Sequence, residues 1–136
     1  MTASSLPAAL RAGAEGLYAL EAAAGLIIAH GTWLARSDDF GRFIHHGAGT
    51  AAIDWEAAID ALQAGRLPCS AGERRMLHLA ASLADRAPVS LGEAVTGLAD
   101  RAPVSLGEAV TGIDDRNVDL LLTAIRHASG RRQFPR

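Results

Sequence analysis

Residues 6–34 read LPAALRAGAEGLYALEAAAGLIIAHGTWL, and this stretch decides the fold class. Apolar or small residues recur along it at alternating spacings of four and three, which is typical of one face of an α-helix. An unbroken helix over residues 6–36 would be about 45 Å long, more than the diameter expected of a domain of this size. We therefore predict a break near Gly13–Gly16 and a second weak point at Gly31. The members of this stripe, called the first-helix stripe below, are Leu6, Leu10, Gly13, Leu17, Leu20, Ala24, Ile27, Gly31 and Leu34.

Four further helices are predicted from capping residues and apolar spacing. A short helix is expected over Asp38–His46, and a second begins after Asp54 and ends before Gly65. Ser70-Ala-Gly-Glu73 has the form of a capping box and opens a third. The last is expected from Asp114 or Asp115 to Gly130. Its predicted buried residues are Val118, Leu121, Leu122 and Ile125, and the tail Arg131–Arg136 is expected to be frayed.

The pattern contains no stretch that alternates apolar and polar residues long enough to predict a strand. The sequence therefore predicts an all-α protein, an irregular bundle of about five or six helices that forms a single helical domain over residues 1–136. The apolar residues are mostly aliphatic, since aromatics make up only 4% of the chain. The core is therefore expected to be packed from small side chains.

All 13 basic residues are arginine, so the chain contains no lysine. Schiff-base chemistry, and with it pyridoxal-phosphate catalysis, requires a lysine and is excluded. A standard P-loop is excluded for the same reason. The net charge of −2 argues against an overtly basic nucleic-acid binder.

A single cysteine, Cys69, suits a reducing compartment, and no signal peptide is recognisable at residues 1–5. The most apolar stretch, residues 16–35, is about as long as a membrane span. It contains Glu21 and His30, and the run between these two residues is far too short to cross a bilayer. We therefore predict a buried helix here, a cytoplasmic protein and no membrane partner.

Residues 83–97 read LADRAPVSLGEAVTG, and residues 98–112 repeat the same letters without a difference. Repeat proteins diverge in sequence and usually need three or more units of about 20–50 residues. This tandem duplication therefore indicates a recent or deliberate copying event. The second copy has three alternatives: a helical turn of its own, a looped-out segment, or a longer connector that allows domain swapping.

We expect one copy to be dispensable. Deleting residues 98–112 should leave a folded protein whose thermal midpoint is no lower than that of the parent. Calorimetry would measure the midpoint, and loss of cooperative unfolding would contradict the hypothesis.

Three segments contain residues that could form a metal site, a reactive cysteine or a phosphate-binding loop. His45-His46, with His30, Asp38 and Asp39 upstream, could supply metal ligands, but the spacing of a helical metal site is absent. Cys69 precedes a helix N-terminus, where a thiolate can be stabilised, yet a small packing residue is the simpler interpretation. The loop Gly47–Thr50 lacks the pattern of a dinucleotide site. No catalytic, cofactor-binding or metal-binding residue is therefore predicted.

Two functions remain open. The first is a non-enzymatic protein-interaction or regulatory domain, self-associating through the first-helix stripe or binding another protein. The second is a helix-turn-helix DNA-binding protein formed by residues 105–113 and 116–125. In that arrangement the N-terminus of the second helix would face DNA, and three aspartates there would meet phosphates. These are Asp114, Asp115 and Asp119, beside a single Arg116, and the tail residues Arg131, Arg132 and Arg136 compensate only in part.

Two parts of the chain, AIDWEAAI with RLPCSAGERRML (residues 52–59 and 66–77) and GIDDRNVDLLLTAI (residues 112–125), look familiar. With the alanine-rich first helix, they resemble small uncharacterised helical proteins of actinobacteria. The resemblance implies an actinobacterial origin and a cytoplasmic location, and it brings no activity and no catalytic residues. Relatives are expected to hold one copy of the duplicated segment, so this chain departs from the pattern there.

Overall fold

The computed structural model describes residues 5–84 and 114–134. Within these ranges the chain is mostly helical, with five α-helices, one turn of 3₁₀ helix and a two-stranded hairpin. In chain order the elements are α1 (Leu6–Ala14), α2 (Tyr18–His30), the 3₁₀ turn (Gly41–Phe43), β1 (Ile44–His46), β2 (Ala51–Ile53), α3 (Trp55–Gln63), α4 (Ala71–Ala84) and α5 (Asp115–Ala128).

The first stretch breaks where the sequence predicts. Ser5 caps α1 by accepting a hydrogen bond from the amide of Ala8 at 3.2 Å, and α1 ends at Ala14. Gly16, at a φ of +95°, turns the chain into α2. Gly31, at a φ of +83°, ends α2. These left-handed conformations favour glycine, so both predicted weak points are confirmed.

Helix α2 is the central element of the bundle. Every residue from Glu21 to Ile27 is buried, because α1, α4 and α5 all pack against it. The Trp33 indole, just past the end of α2, donates to the carbonyl of Glu73 near the start of α4 at 3.1 Å. Thus α4 runs antiparallel to α2. The prediction of a buried helix in residues 16–35 is confirmed.

The fold class differs from the prediction in one element. The segment predicted as a helix over Asp38–His46 forms the 3₁₀ turn and then strand β1, which pairs antiparallel with β2. Ile44 lies opposite Ile53 and both are buried, while His45 opposite Ala52 is exposed. Because each strand has only three residues, alternation cannot reveal it in the sequence. The described residues are thus mostly helical, as predicted, but they are not purely all-α because they include this small two-stranded sheet.

The predicted caps of the later helices are confirmed. Asp54 accepts from the amide of Ala57 at 3.1 Å and begins α3. In the capping box, the Glu73 amide donates to the Ser70 hydroxyl and the Ser70 amide donates to the Glu73 carboxylate. Each cap satisfies amides that a helix start leaves without partners.

Helix α5 is capped by Asp114, as predicted, but its buried face is rotated from the expected one. Leu122, predicted to be buried, is 46% exposed. Val118 and Ile125 are half-buried, and only Leu121 is buried as expected. The buried residues of α5 are Asn117, Leu121, Ala124 and His127. The prediction counted only aliphatic residues, whereas the helix buries a polar residue at each end of this face.

The duplicated segments, 83–97 and 98–112, lie almost wholly outside the described residues, which include only Leu83 and Ala84 of them. The alternatives for the second copy therefore stay predictions. Over residues 5–84 and 114–134, none of the helices combines the length and the apolar character needed to cross a bilayer.

Candidate functional site

The histidines and aspartates that were weighed as metal ligands are not brought together. His45 lies on the hairpin, where its Nε2 is 3.5 Å from a carboxylate oxygen of Asp54. Asp39 pairs with Arg36, and His30 lies at the end of α2. In the described part of the chain, no three histidine, cysteine, aspartate or glutamate side chains are grouped so that they could hold a metal ion.

Cys69 is half-buried in the turn before α4. Burial raises the pKa of its thiol, and the nearby Arg74 offsets this only in part. A reactive cysteine needs the opposite shift, since the thiolate is the nucleophile. These surroundings therefore favour the interpretation of Cys69 as a small residue that packs in the turn.

The loop Gly47–Thr50 closes the hairpin. The Gly47 amide donates to the carbonyl of Thr50 at 2.8 Å, and Gly49 has a φ of +76°. The two glycines thus serve a tight connection between strands, which explains them without a phosphate ligand.

The described half of the helix-turn-helix segment packs inward. The Arg116 guanidinium, the one basic group in the first turn of α5, donates to the carbonyl of Ala29 at 2.9 Å. Asp114, Asp115 and Asp119 remain exposed on this end. An exposed acidic end does not suit phosphate contact. Residues 105–113, the other half of the motif, lie outside the described ranges.

The first-helix stripe packs mainly within the chain. Leu10, Ala24 and Ile27 are buried in the core. Gly13 lies so close to β2 that a Cβ atom there would overlap the carbonyl oxygen of Ala51. Among the large residues of the stripe, Leu17 stands out because it is 48% exposed.

An apolar groove of about 240 Å³ lies between α1, α2 and β2. Trp55, at the start of α3, and Ala84, at the end of α4, close its sides. Its walls contain no ionisable side chain, and most of the surface that lines it is apolar. The residues that line it include Leu10, Gly13, Leu20, Ala24, Ile53 and Trp55.

Leu17 lies near this apolar groove in the chain. It is the residue directly before α2 and comes three residues before Leu20, which lines the groove. Its side chain is exposed, so it offers a partner an apolar group about one helical turn before Leu20. Together, the groove and Leu17 form the exposed apolar feature best suited to a partner in the described residues.

A second feature, the buried polar centre, joins the start of α2 to the end of α5. His127 is 0% exposed, and its Nε2 lies 2.6 Å from Oε1 of Glu21, which is 7% exposed. The other carboxylate oxygen of Glu21 accepts from the amide of Gly16 at 2.9 Å. Burial alone would raise the pKa of Glu21, but the bonds from His127 and Gly16 outweigh it and hold that pKa below 4.5.

The second ring nitrogen of His127 holds the chain that follows α5. Its Nδ1 accepts from the amides of Gln133 at 2.8 Å and Phe134 at 3.0 Å. The Phe134 ring lies over Gly25 of α2, where a Cβ would stand 2.5 Å from it. The prediction of a frayed tail is thus wrong for its described part, residues 131–134, because a buried acceptor and an aromatic anchor hold it.

Arg132 closes the outer side of the polar centre. Its Nη1 is 3.5 Å from Oε1 of Glu21, and its guanidinium lies 5.3 Å from the centre of the Tyr18 ring. A cleft of about 60 Å³ lies between Gly16, Tyr18, Glu21 and Arg132, which is room for a few water molecules. Both nitrogens of His127 and both oxygens of Glu21 have partners within the chain, so the centre links α2, α5 and the tail.

No protein-family model matches the chain. No curated protein and no solved structure is significantly similar to it either. The resemblance to actinobacterial proteins and the origin that it implies therefore stay predictions.

The buried polar centre is not predicted from the sequence. There, Glu21 indicates only a charge that argues against a membrane span, and His127 only a favourable charge at the end of α5. One signal was available: Glu21 is the lone charged residue in an otherwise apolar helix, and such a residue requires a buried partner. The identity of that partner, 106 residues away, cannot be found from spacing.

Proposed function

We propose that this chain is a non-enzymatic protein-interaction domain that associates with a second copy of itself through the apolar groove and Leu17. The observation that carries the proposal is an exposed leucine three residues before Leu20, which lines an uncharged groove. Burying a leucine side chain fully contributes about 1.5–3 kcal/mol, so this residue is a natural anchor.

A second copy is the favoured partner for two reasons. Each copy carries both a projecting leucine and a groove, and a two-fold contact pairs the same surface on both subunits. The net charge of −2 is small, so two copies repel each other only weakly. The chain is proposed to be cytoplasmic, because a single cysteine suits a reducing compartment.

The test is sedimentation velocity from low to high micromolar concentration, comparing the parent with Leu17→Asp. Leu17 occupies the N-cap of α2 and makes no capping hydrogen bond, so aspartate there should retain the fold. We expect the parent to dimerise and the variant to dimerise about thirtyfold more weakly, the loss typical of a central interface residue.

Leu122→Asp is the matched control. Leu122 is about as exposed as Leu17, but it lies on α5, which does not line the groove. It should dimerise like the parent. A parent that stays monomeric at every concentration would refute the proposal, as would a Leu17→Asp variant that dimerises unchanged.

DNA binding is the alternative function. It receives less support because Arg116 is bonded to α2 and Arg132 lies against Glu21 and Tyr18. A salt-sensitive shift of a DNA duplex by the parent, unaffected by Leu17→Asp, would favour the alternative and contradict the interaction domain.

A further inference from the structure

The tail, residues 131–134, is held to the bundle by hydrogen bonds that depend on the protonation of one atom. Both tail amides, those of Gln133 and Phe134, donate to Nδ1 of His127. An atom that accepts two N–H groups must carry a lone pair. The hydrogen of the neutral ring must then be on Nε2, which donates it to the Glu21 carboxylate.

A proton on Nδ1 would destroy this arrangement. The imidazolium has hydrogen on both nitrogens, so Nδ1 would turn from an acceptor into a donor that faces two other donors. Both tail hydrogen bonds would be lost at once, whereas the bond from Nε2 to Glu21 would remain. The damage is therefore local to the tail.

The charged groups around the ring come from α2, from the tail and from the turn before α2. Helix α2 presents Glu21 and Tyr18, and the tail presents Arg132. Glu15 and Gly16, in the turn before α2, contribute an exposed carboxylate and the amide bound to Glu21. The last turns of α4, residues 79–84, contain no ionisable side chain. Because the bonds from His127 and Gly16 keep the pKa of Glu21 low, its carboxylate stays charged in mild acid and still accepts from Nε2.

Water can reach the Glu21 side of the pair. The cleft beside Glu21 is bounded by Tyr18 and Arg132 and opens to solvent.

We propose that His127 is a proton-operated latch: uptake of a proton at Nδ1 releases residues 131–134 from α2 and uncovers the surface around Gly25. When the Phe134 ring moves away, it exposes a part of α2 that carries no side chain, because Gly25 has no Cβ. This device is independent of the proposed dimerisation, because the apolar groove is lined by neither α5 nor the tail.

The experiment follows the full-length chain by nuclear magnetic resonance from pH 8 to pH 5. The ¹⁵N shift of the His127 ring reports protonation of Nδ1, and amide-exchange protection reports docking of Gln133 and Phe134. We expect tail protection to fall at least about tenfold as Nδ1 takes up its proton, since two hydrogen bonds are lost. Protection of Leu79 and Ala80 in α4 should not change.

His127→Asn is the matched variant. Its Oδ1 can lie where Nδ1 lies and accept both amides, but it does not titrate in this range. The tail of this variant should stay protected at pH 5. If the variant does not fold, the ring ¹⁵N shift and the amide protection measured on the parent test the proposal by themselves.

Five outcomes would overturn the latch. Nδ1 could stay without a proton down to pH 5. The tail amides could stay protected after Nδ1 is protonated, they could lose protection while Nδ1 still lacks a proton, or they could lose it together with α4. Release of the tail in His127→Asn at the same pH as in the parent would also overturn it.

Discussion

Replacing His127 by alanine is expected to lower the free energy of unfolding by about 3–5 kcal/mol at pH 7, the range observed when one partner of a buried pair is removed. The substitution leaves the Glu21 carboxylate buried without its main donor. It also leaves the amides of Gln133 and Phe134 without their acceptor and opens a cavity beneath Tyr18 and Phe134. Each of these effects destabilises the folded chain.

The loss of unfolding free energy in His127→Ala should become smaller as the pH falls. In the parent, the folded-state pKa of Glu21 lies below its ordinary value of 4.5. The stabilisation that this carboxylate provides is therefore fully present above about pH 4.5 and is lost as the pH falls through its folded-state pKa. In the variant, burial without a donor disfavours the charged form. The difference in stability between parent and variant should thus shrink in acid.

Urea unfolding of the parent and of His127→Ala, at pH 7 and at pH 4, measures the loss of stability and its dependence on pH. His46→Ala is the control, because His46 is exposed on the hairpin and its loss should change stability by less than about 0.5 kcal/mol. A His127→Ala deficit under about 1 kcal/mol would show that the buried polar centre contributes little. A deficit that grows as the pH falls would contradict the assigned charge of Glu21.

Replacing Gly13 by alanine should lower the free energy of unfolding by about 2 kcal/mol, even though alanine is the better helix former. The gain in helix propensity is at most about 1 kcal/mol. Against it, the new Cβ would overlap the carbonyl oxygen of Ala51, a backbone atom in β2. Backbone cannot rotate aside as a side chain does, so α1 and the hairpin must separate.

Gly41→Ala is the matched control for this substitution. Gly41 has a negative φ, and a Cβ there would meet nothing within 4 Å. It should be neutral or should stabilise the chain by about 0.4–1 kcal/mol, because alanine restricts the unfolded state. Thermal unfolding of both variants gives the comparison. A Gly13→Ala protein at least as stable as Gly41→Ala would show that α1 does not approach β2 so closely.

Local signals in the sequence were enough to place the helices. Asp54, Ser70 and Asp114 cap the helices that they were predicted to cap, and Gly16 and Gly31 interrupt the first stretch. Caps and left-handed glycines act within about one helical turn, so their effect can be predicted from neighbouring letters.

Features that depend on distant residues could not be predicted. The hairpin is stabilised by packing of Ile44 and Ile53 in the core, and its strands are too short to show a period. The buried face of α5 includes His127. Burial of this side chain is favourable only because Glu21, on α2, binds it. The apolar groove likewise gathers residues from elements that no spacing rule connects.

The separation of Glu21 and His127 along the chain has a consequence for biosynthesis. A ribosome adds about 5–20 residues per second, so the 106 residues that follow Glu21 up to and including His127 take roughly 5–20 s to make. During this interval Glu21 has no histidine partner, because His127 has not yet been synthesised. The face of α2 that packs against α5 is therefore uncovered until α5 is made, and a chaperone could bind it during this interval.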